Sequence, residues 1–379
     1  MTDYQSWQLD PLDTWFFREA RPFDTLGSPE LASQFPPPAA TVAGAIKTLL
    51  GRQQGMDWHA FKPRAGADEP ADSRYAALGQ LHLCGPFVSK DGAPLFPAPA
   101  FLLHKQDDYQ RLRIGQPVET DLGIVCLPEL PAECRNQGGY KPLERTWLSR
   151  SGLERVLEGY VPDPNQVITA DELYSPEPRL GIGRNNQTGC VDAEAGLLYQ
   201  TCHVRPHDQT GIVVGVKGIA DSIRPEPVRL GGEGRLTLMH ANRQPLPLPQ
   251  APGVTGQPRG LILLLLTAAD LDNCWRLPGC GNPQCPERDS GEAQIWPCEV
   301  NGVRLHIQAA ILGKPQREGG WHLAERKPRR VESLVPAGSA WFCTVPNGNL
   351  QAAIERLHLS QIGDGQTLGR GLLAVGVWE

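Results

Sequence analysis

The sequence predicts an α+β protein of two compact domains, and three observations carry that expectation. Its 379 residues exceed what one ordinary core uses and suit two domains of usual size. Hydrophobic residues reach 40% against 21% charged, a balance that packs rather than staying disordered. Short β-rich runs alternate with segments of helical spacing, and 41 Gly and 36 Pro supply many turns between short elements.

The elements follow in chain order. Trp7 to Phe17 mixes aromatic and apolar residues and reads as a first strand, interrupted at Pro11, that runs into the charged turn from Arg18 to Asp24. A Pro-rich stretch, Phe35 to Pro38, leads to a helix in which Val42, Ile46, Leu49 and Leu50 share a face, with Thr41 as cap and Gly51 as stop. Strand, loop and helix in that order open a ferredoxin-like unit. Residues 64–72 read as a polar surface loop, Leu78 to Val88 and Thr120 to Leu127 as short strands, and Leu153 to Leu157 as a short helix after Trp147. Ile212 to Ile219 and Arg235 to His240 resume the β pattern.

Gln244 to Gly260 is Pro-rich and without periodicity, so it is read as a linker between domains 1–243 and 261–379. After it, Leu261 to Leu266 reads as a fully buried central strand, and Val303 to Leu312 and Ser339 to Val345 as two more. Asn349 caps a helix with an apolar face of Leu350, Ala353, Ile354 and Leu357, and Gly371 to Trp378 closes the domain. This order suits helices on one face of an antiparallel sheet.

The longest apolar run, Leu261 to Leu266, is far short of the roughly 20 residues that span a bilayer. The first residues show no basic region followed by an apolar stretch, so no signal peptide is expected. The ten Cys then read as reduced thiols, and a cytoplasmic protein is expected. A net charge of −6 and a pI near 5.9 exclude a generic polycationic coat. RNA binding would have to use local basic loops.

Two glycine-basic loops meet that requirement, Pro227 to Arg235 and Ile362 to Gly371. Glycines let backbone N–H groups approach a phosphate, and Arg229, Arg235 or Arg370 would add a fixed donor fork. The competing reading is a pair of tight turns. Neither loop is a P-loop, which needs Gly-Lys-Ser/Thr. The basic run Glu325 to Arg330 reads as a solvated face. Cys274, Cys280, Cys285 and Cys298 could hold zinc, but the spacing C-x5-C-x4-C-x12-C lacks the paired C-x2-C of structural sites. They are read as ordinary thiols, with no metal and no cofactor expected. Cys202, His203 and His207 cluster, and Asp24 sits in the first loop, yet neither set has a placed second group for acid–base catalysis.

Taken in order, several stretches resemble the family of third subunits of the Cmr complex, the type III-B CRISPR effector, within the RAMP superfamily. They are Pro11–Phe23, Pro36–Gly51, Trp147–Gly159, Glu177–Tyr199, Arg229–Arg235 and Gly369–Trp378. The resemblance implies two ferredoxin-like (RRM-like) domains with loop and hairpin insertions. It further implies a non-catalytic subunit that holds the 5′ tag of the CRISPR guide RNA. The implied protein partners are the backbone RAMP subunits and the large nuclease/cyclase subunit, with no membrane. By matching position, the RNA contacts implied are Arg18, Arg21, Lys47, Arg184, Gly231, Gly232, Gly234, Arg235, Gly369 and Arg370. Lys141, Arg145 and Arg150 would form a projection beside the tag. A guide-processing endoribonuclease and a scaffold contacting only protein stand as alternatives.

Overall fold

A computed structural model describes residues 4–20, 30–57, 78–121, 123–182, 188, 190–191, 198–219, 223–254, 256–272, 274–284, 291–322, 327–346 and 348–379. The chain is a strand-rich α+β protein that divides into two units, each built from separate stretches. The first takes residues 1–93, 170–246 and 317–332, and the second residues 94–169, 247–316 and 333–379. One break, between Leu246 and Pro247, falls inside the Pro-rich segment, whereas the others do not. This differs from a contiguous division at 243 and 261, because the chain leaves each core and later returns to it. Among the described residues no helix is long and apolar enough to cross a membrane.

The first unit is organised by strand β1 (Gln5–Pro11) and helix α1 (Ala39–Gln53). Its other sheet strands are β2 (His82–Lys90), β5 (Thr210–Lys217), β6 (Glu226–Arg229) and β7 (Leu236–Pro245). They lie side by side in the order β2-β5-β1-β7-β6, every pair antiparallel. Trp7 and Leu9 alternate inward along β1 and are fully buried, while Gln8 between them donates to Ser89 Oγ at 2.8 Å; period two sorts the side chains. A ribbon of β3 (Tyr174–Ile182) and β4 (Leu198–Pro206) belongs to the same unit, with Glu177 opposite His203.

Three local expectations are corrected here. The first strand ends at Pro11, and beyond it Trp15 makes an isolated bridge to Val204. Thr41 lies inside α1, not at its cap, because Pro38 with φ −56° occupies the cap and presets the entry. Gly51 is buried within the helix, and the left-handed residue past the end is Gly55, at φ +65°.

The second unit holds a five-stranded sheet of β8 (Gly260–Leu265), β9 (Trp296–Val300), β10 (Val303–Ile311), β11 (Ala340–Thr344) and β12 (Leu373–Trp378). Its order is β9-β10-β11-β8-β12. The run Gly260–Leu265 is buried throughout, and β8 is paired on both edges, with Leu263 opposite Trp341 and Val375. Helix α2 (Arg150–Leu157) starts at Ser149, whose Oγ accepts from the Gly152 amide at 3.2 Å. Helix α3 (Leu350–Leu357) places Ala353, Ile354 and Leu357 in the core of β8. Asn349 Oδ1 accepts from the Ala352 amide at 3.1 Å, the cap expected. In each of these two sheets the earliest strand, β1 or β8, sits between two later ones.

Leu263→Ala removes a fully buried side chain and should cost about 2–5 kcal/mol, whereas Asn349→Ala should cost about 1 kcal/mol. Urea unfolding of the two variants checks both the ranking and the central place of β8.

Candidate nucleic-acid interface

The first glycine loop is a closed turn between β6 and β7. The Arg235 amide donates to Gly232 O at 3.2 Å, and the Leu230 amide donates to Arg235 O at 2.9 Å. Gly231 and Gly234 take φ of +83° and +64°. A Cβ on Gly231 would stand 2.4 Å from Phe16 O, so this position requires glycine. The Gly232 amide donates to that same oxygen at 2.7 Å, seating the loop on the segment that follows β1.

That seating delivers Arg235 to Asp13, which becomes the meeting point of three guanidinium groups. Arg235 Nη1 donates to Asp13 Oδ2 at 3.0 Å, Arg179 Nη2 to the same oxygen at 3.2 Å, and Arg205 Nη2 to Oδ1 at 3.1 Å. Glu177 completes the set, accepting from Arg179 Nε at 2.6 Å and from Arg205 Nε. Glu177 and Arg179 are two apart on β3, so the pleat turns both to one face, and Arg205 reaches them diagonally from β4. Three cations around two anions leave a net +1 at a partly exposed site.

Burial pushes the Asp13 carboxyl up, but the bonds from Arg179, the Thr14 amide and Arg205 together outweigh it and hold it below its ordinary value. The Arg205 bond, opposed by burial and aided by Arg179, does the same for Glu177. His203 lies beneath, 2% exposed, its Nδ1 3.0 Å from Thr14 Oγ1 and its ring stacked on Phe16 at 5.1 Å. Burial, then the positive charges of Arg179 and Arg235, push His203 down to about 4, so it is neutral near pH 7. His207 Nε2 is 2.7 Å from Ser175 Oγ.

The expected RNA contacts fall into three groups. In the first unit the structure brings Gly231, Gly232, Gly234 and Arg235 to this cluster; Arg18 is exposed, and Lys47 is half-buried with its pKa lowered by burial. In the second unit Lys141 and Arg145 are exposed, and Arg150 is paired to Glu154 at 2.8 Å. Arg21, Arg184, Asp24 and Cys285 lie outside the described residues. The second glycine loop is bound down tightly: the Gly371 amide donates to Ala268 O at 3.0 Å, and Thr267 Oγ1 donates to Gly369 O at 2.8 Å. Arg370 is 6% exposed, with Asp270 at 4.0 Å, so its guanidinium faces inward rather than outward as expected.

Asp13, Glu177, Arg179 and Arg205 were not foreseen in the sequence. The available signal was the E-x-R spacing in a strand, which puts opposite charges on one face. Among the described residues no group of three or more His, Cys, Asp or Glu is arranged to hold a metal.

The chain is an α+β protein whose first unit gathers three arginines on Asp13 beside a glycine turn. The family described as CRISPR-associated protein (Cas_Cmr3) matches residues 7–378, and the chain belongs to that family, the Cmr3 subunits of type III-B effectors. It is similar to a chain in a cryo-EM structure of the Type III-B Cmr-beta bound to cognate target RNA, with 16% identity, a TM-score of 0.47, and coverage of 89% of this chain and 86% of that one. A second structure, of Type III-B Cmr-beta bound to cognate target RNA and AMPPnP, gives 15% identity, a TM-score of 0.46 and the same coverage. No match is found among curated proteins.

Gly231→Ala should lower stability by about 1–3 kcal/mol, from positive φ and the clash with Phe16 O; Gly234→Ala, which meets open space, should cost less. Denaturant midpoints test this ranking. His203 sets a pH dependence: the unfolded imidazole gains its proton near 6.5, while the folded one resists until about 4. Stability is therefore complete above 6.5 and is lost as pH falls toward 4, by up to about 1.4 kcal/mol per pH unit for one proton. His203→Gln should flatten that slope in urea titrations at stepped pH.

Proposed function

We propose that the chain is a non-catalytic RNA-binding subunit of the effector, gripping the phosphate backbone of the guide RNA near its 5′ tag. The observation that carries this reading is the convergence of Arg179, Arg205 and Arg235 on Asp13. Guanidinium forks match phosphate oxygens bidentately, and the two carboxylates hold the forks in place before RNA arrives. An exposed ion pair contributes little to stability, so a five-member network at the surface is better explained by recognition than by folding. A local site of this kind also accommodates the overall charge of −6, whose acidic surface would face partner subunits.

Family membership supports the wider reading: a place beside the backbone subunits, docking to the large nuclease/cyclase subunit, and antiviral defence in the cytoplasm. Two sheets whose earliest strand lies between later ones support ferredoxin-like units of the RAMP type. Arg18, Lys141 and Arg145, exposed in their own units, are proposed as further backbone contacts. A scaffold that touches only protein is the competing reading, favoured by the carboxylates that already occupy these arginines.

Arg205→Ala and Arg235→Ala should each weaken binding of tagged guide RNA and reduce the salt slope of log K by about 1. Asp13→Asn should strengthen RNA binding, because it frees donors and removes a repelling charge. RNA affinity and salt slope unchanged in all three folded variants would leave the scaffold reading. Shortened RNA after incubation with the wild-type chain would replace both readings with an endoribonuclease.

A further inference from the structure

Away from the arginine cluster, the second unit contains a pair of cysteines in a cross-strand arrangement. Strand β9 is an edge of its five-stranded sheet, and residues 281–284, which follow a turn from Leu277 to Cys280, run antiparallel along its outer side. The Gly281 amide donates to Pro297 O at 2.9 Å, and Gln284 and Ile295 exchange bonds of 2.8 and 3.2 Å. A Cβ on Gly279 would stand 2.6 Å from Glu299 O. With Gly281 facing Pro297 and Gly279 facing Glu299, Cys280 faces Cys298 directly. Gly281 and Pro297 form the hydrogen-bonded pair, although Pro297 has no N–H to return. Cys280 and Cys298 are therefore the adjoining non-hydrogen-bonded pair, in which side chains approach most closely.

A non-hydrogen-bonded pair is the cross-strand position where side chains come nearest, and a disulfide needs Cβ atoms about 3.5–4.5 Å apart. The two thiols are hydrogen-bonded to each other. Cys280 is half-buried and Cys298 is buried, so reagents reach the pair through Cys280. The bond to Cys298, with a further contribution from the Arg276 charge, lowers the Cys280 thiol pKa and raises that of Cys298. Cys343 lies behind them, fully buried.

We propose that Cys280 and Cys298 are a redox-sensitive modification site that closes to an intramolecular disulfide with oxidised glutathione, fastening the 279–284 segment to the sheet edge. The Cys280 thiolate attacks one sulfur of glutathione disulfide, forming a mixed disulfide and releasing one glutathione thiolate. The Cys298 thiolate then displaces the second glutathione. Two electrons pass from the cysteines to glutathione, and the two thiol protons end on the released glutathiones.

The test uses the full chain, reduced, then held in oxidised glutathione, alkylated and digested with trypsin. Peptide 277–288, which holds Cys280 and Cys285, should be joined to peptide 289–304, which holds Cys298, at a mass about 2 Da below their sum. The link should persist in Cys285→Ser, disappear in Cys280→Ser, and reverse with dithiothreitol. Full alkylation of both thiols after oxidation would overturn the proposal. So would a link that survives Cys280→Ser or is lost in Cys285→Ser; the latter variant keeps both paired cysteines and guards against misfolding as the cause.

Discussion

The short segment after β1 is the constraint on which the first unit depends. It carries no regular structure, yet its backbone is held on two sides. Trp15 and Val204 exchange amide bonds of 2.9 and 2.8 Å, and Phe16 O accepts from Gly232. These contacts fix Asp13 between β4 and the glycine turn, so one carboxylate can gather arginines from three separate stretches. Buried backbone groups must find partners, and here those partners come from the very elements that carry Arg205 and Arg235.

Electrostatics and packing work together at this site. His203 and Thr14 fill the space under the charges, and the neutral imidazole adds no positive charge to a cluster already rich in it. The three arginines share two carboxylates, Asp13 and Glu177, and remain partly exposed. A phosphate would compete with carboxylates for forks already ordered, which lowers the entropy cost of binding. On the proposed function, the same network would limit affinity, because a phosphate would displace carboxylates already bound to these arginines.

The two glycine loops look alike in sequence and differ in their surroundings. In the first, the arginine at its end emerges beside Asp13 and remains accessible. In the second, Gly363 and Gly371 approach Asp270 O and Ile362 O so closely that a Cβ would stand 2.1 and 1.9 Å away, and Arg370 is drawn inward. Loop composition alone does not distinguish these outcomes; what surrounds the loop does. The cysteines behave similarly: spacing in the sequence argues against a zinc site, while cross-strand register brings Cys280 and Cys298 together.

The sequence by itself determined the elements whose signals are local. The β8 run, the Asn349 cap, the apolar face of α1 and the alternation in β10 depend on period and capping chemistry within a few residues of chain. The ordered set of motifs also marked the family. Tertiary structure alone decided which stretches share a core, since residues 94–169 and 317–332 join units distant in sequence. It also decided the site, because Asp13, Glu177, Arg179, Arg205 and Arg235 meet only through strand pairing and the seating of a turn on Phe16. Long-range contacts of that kind depend on which surfaces are left to pair once local structure has formed, and no local period records them.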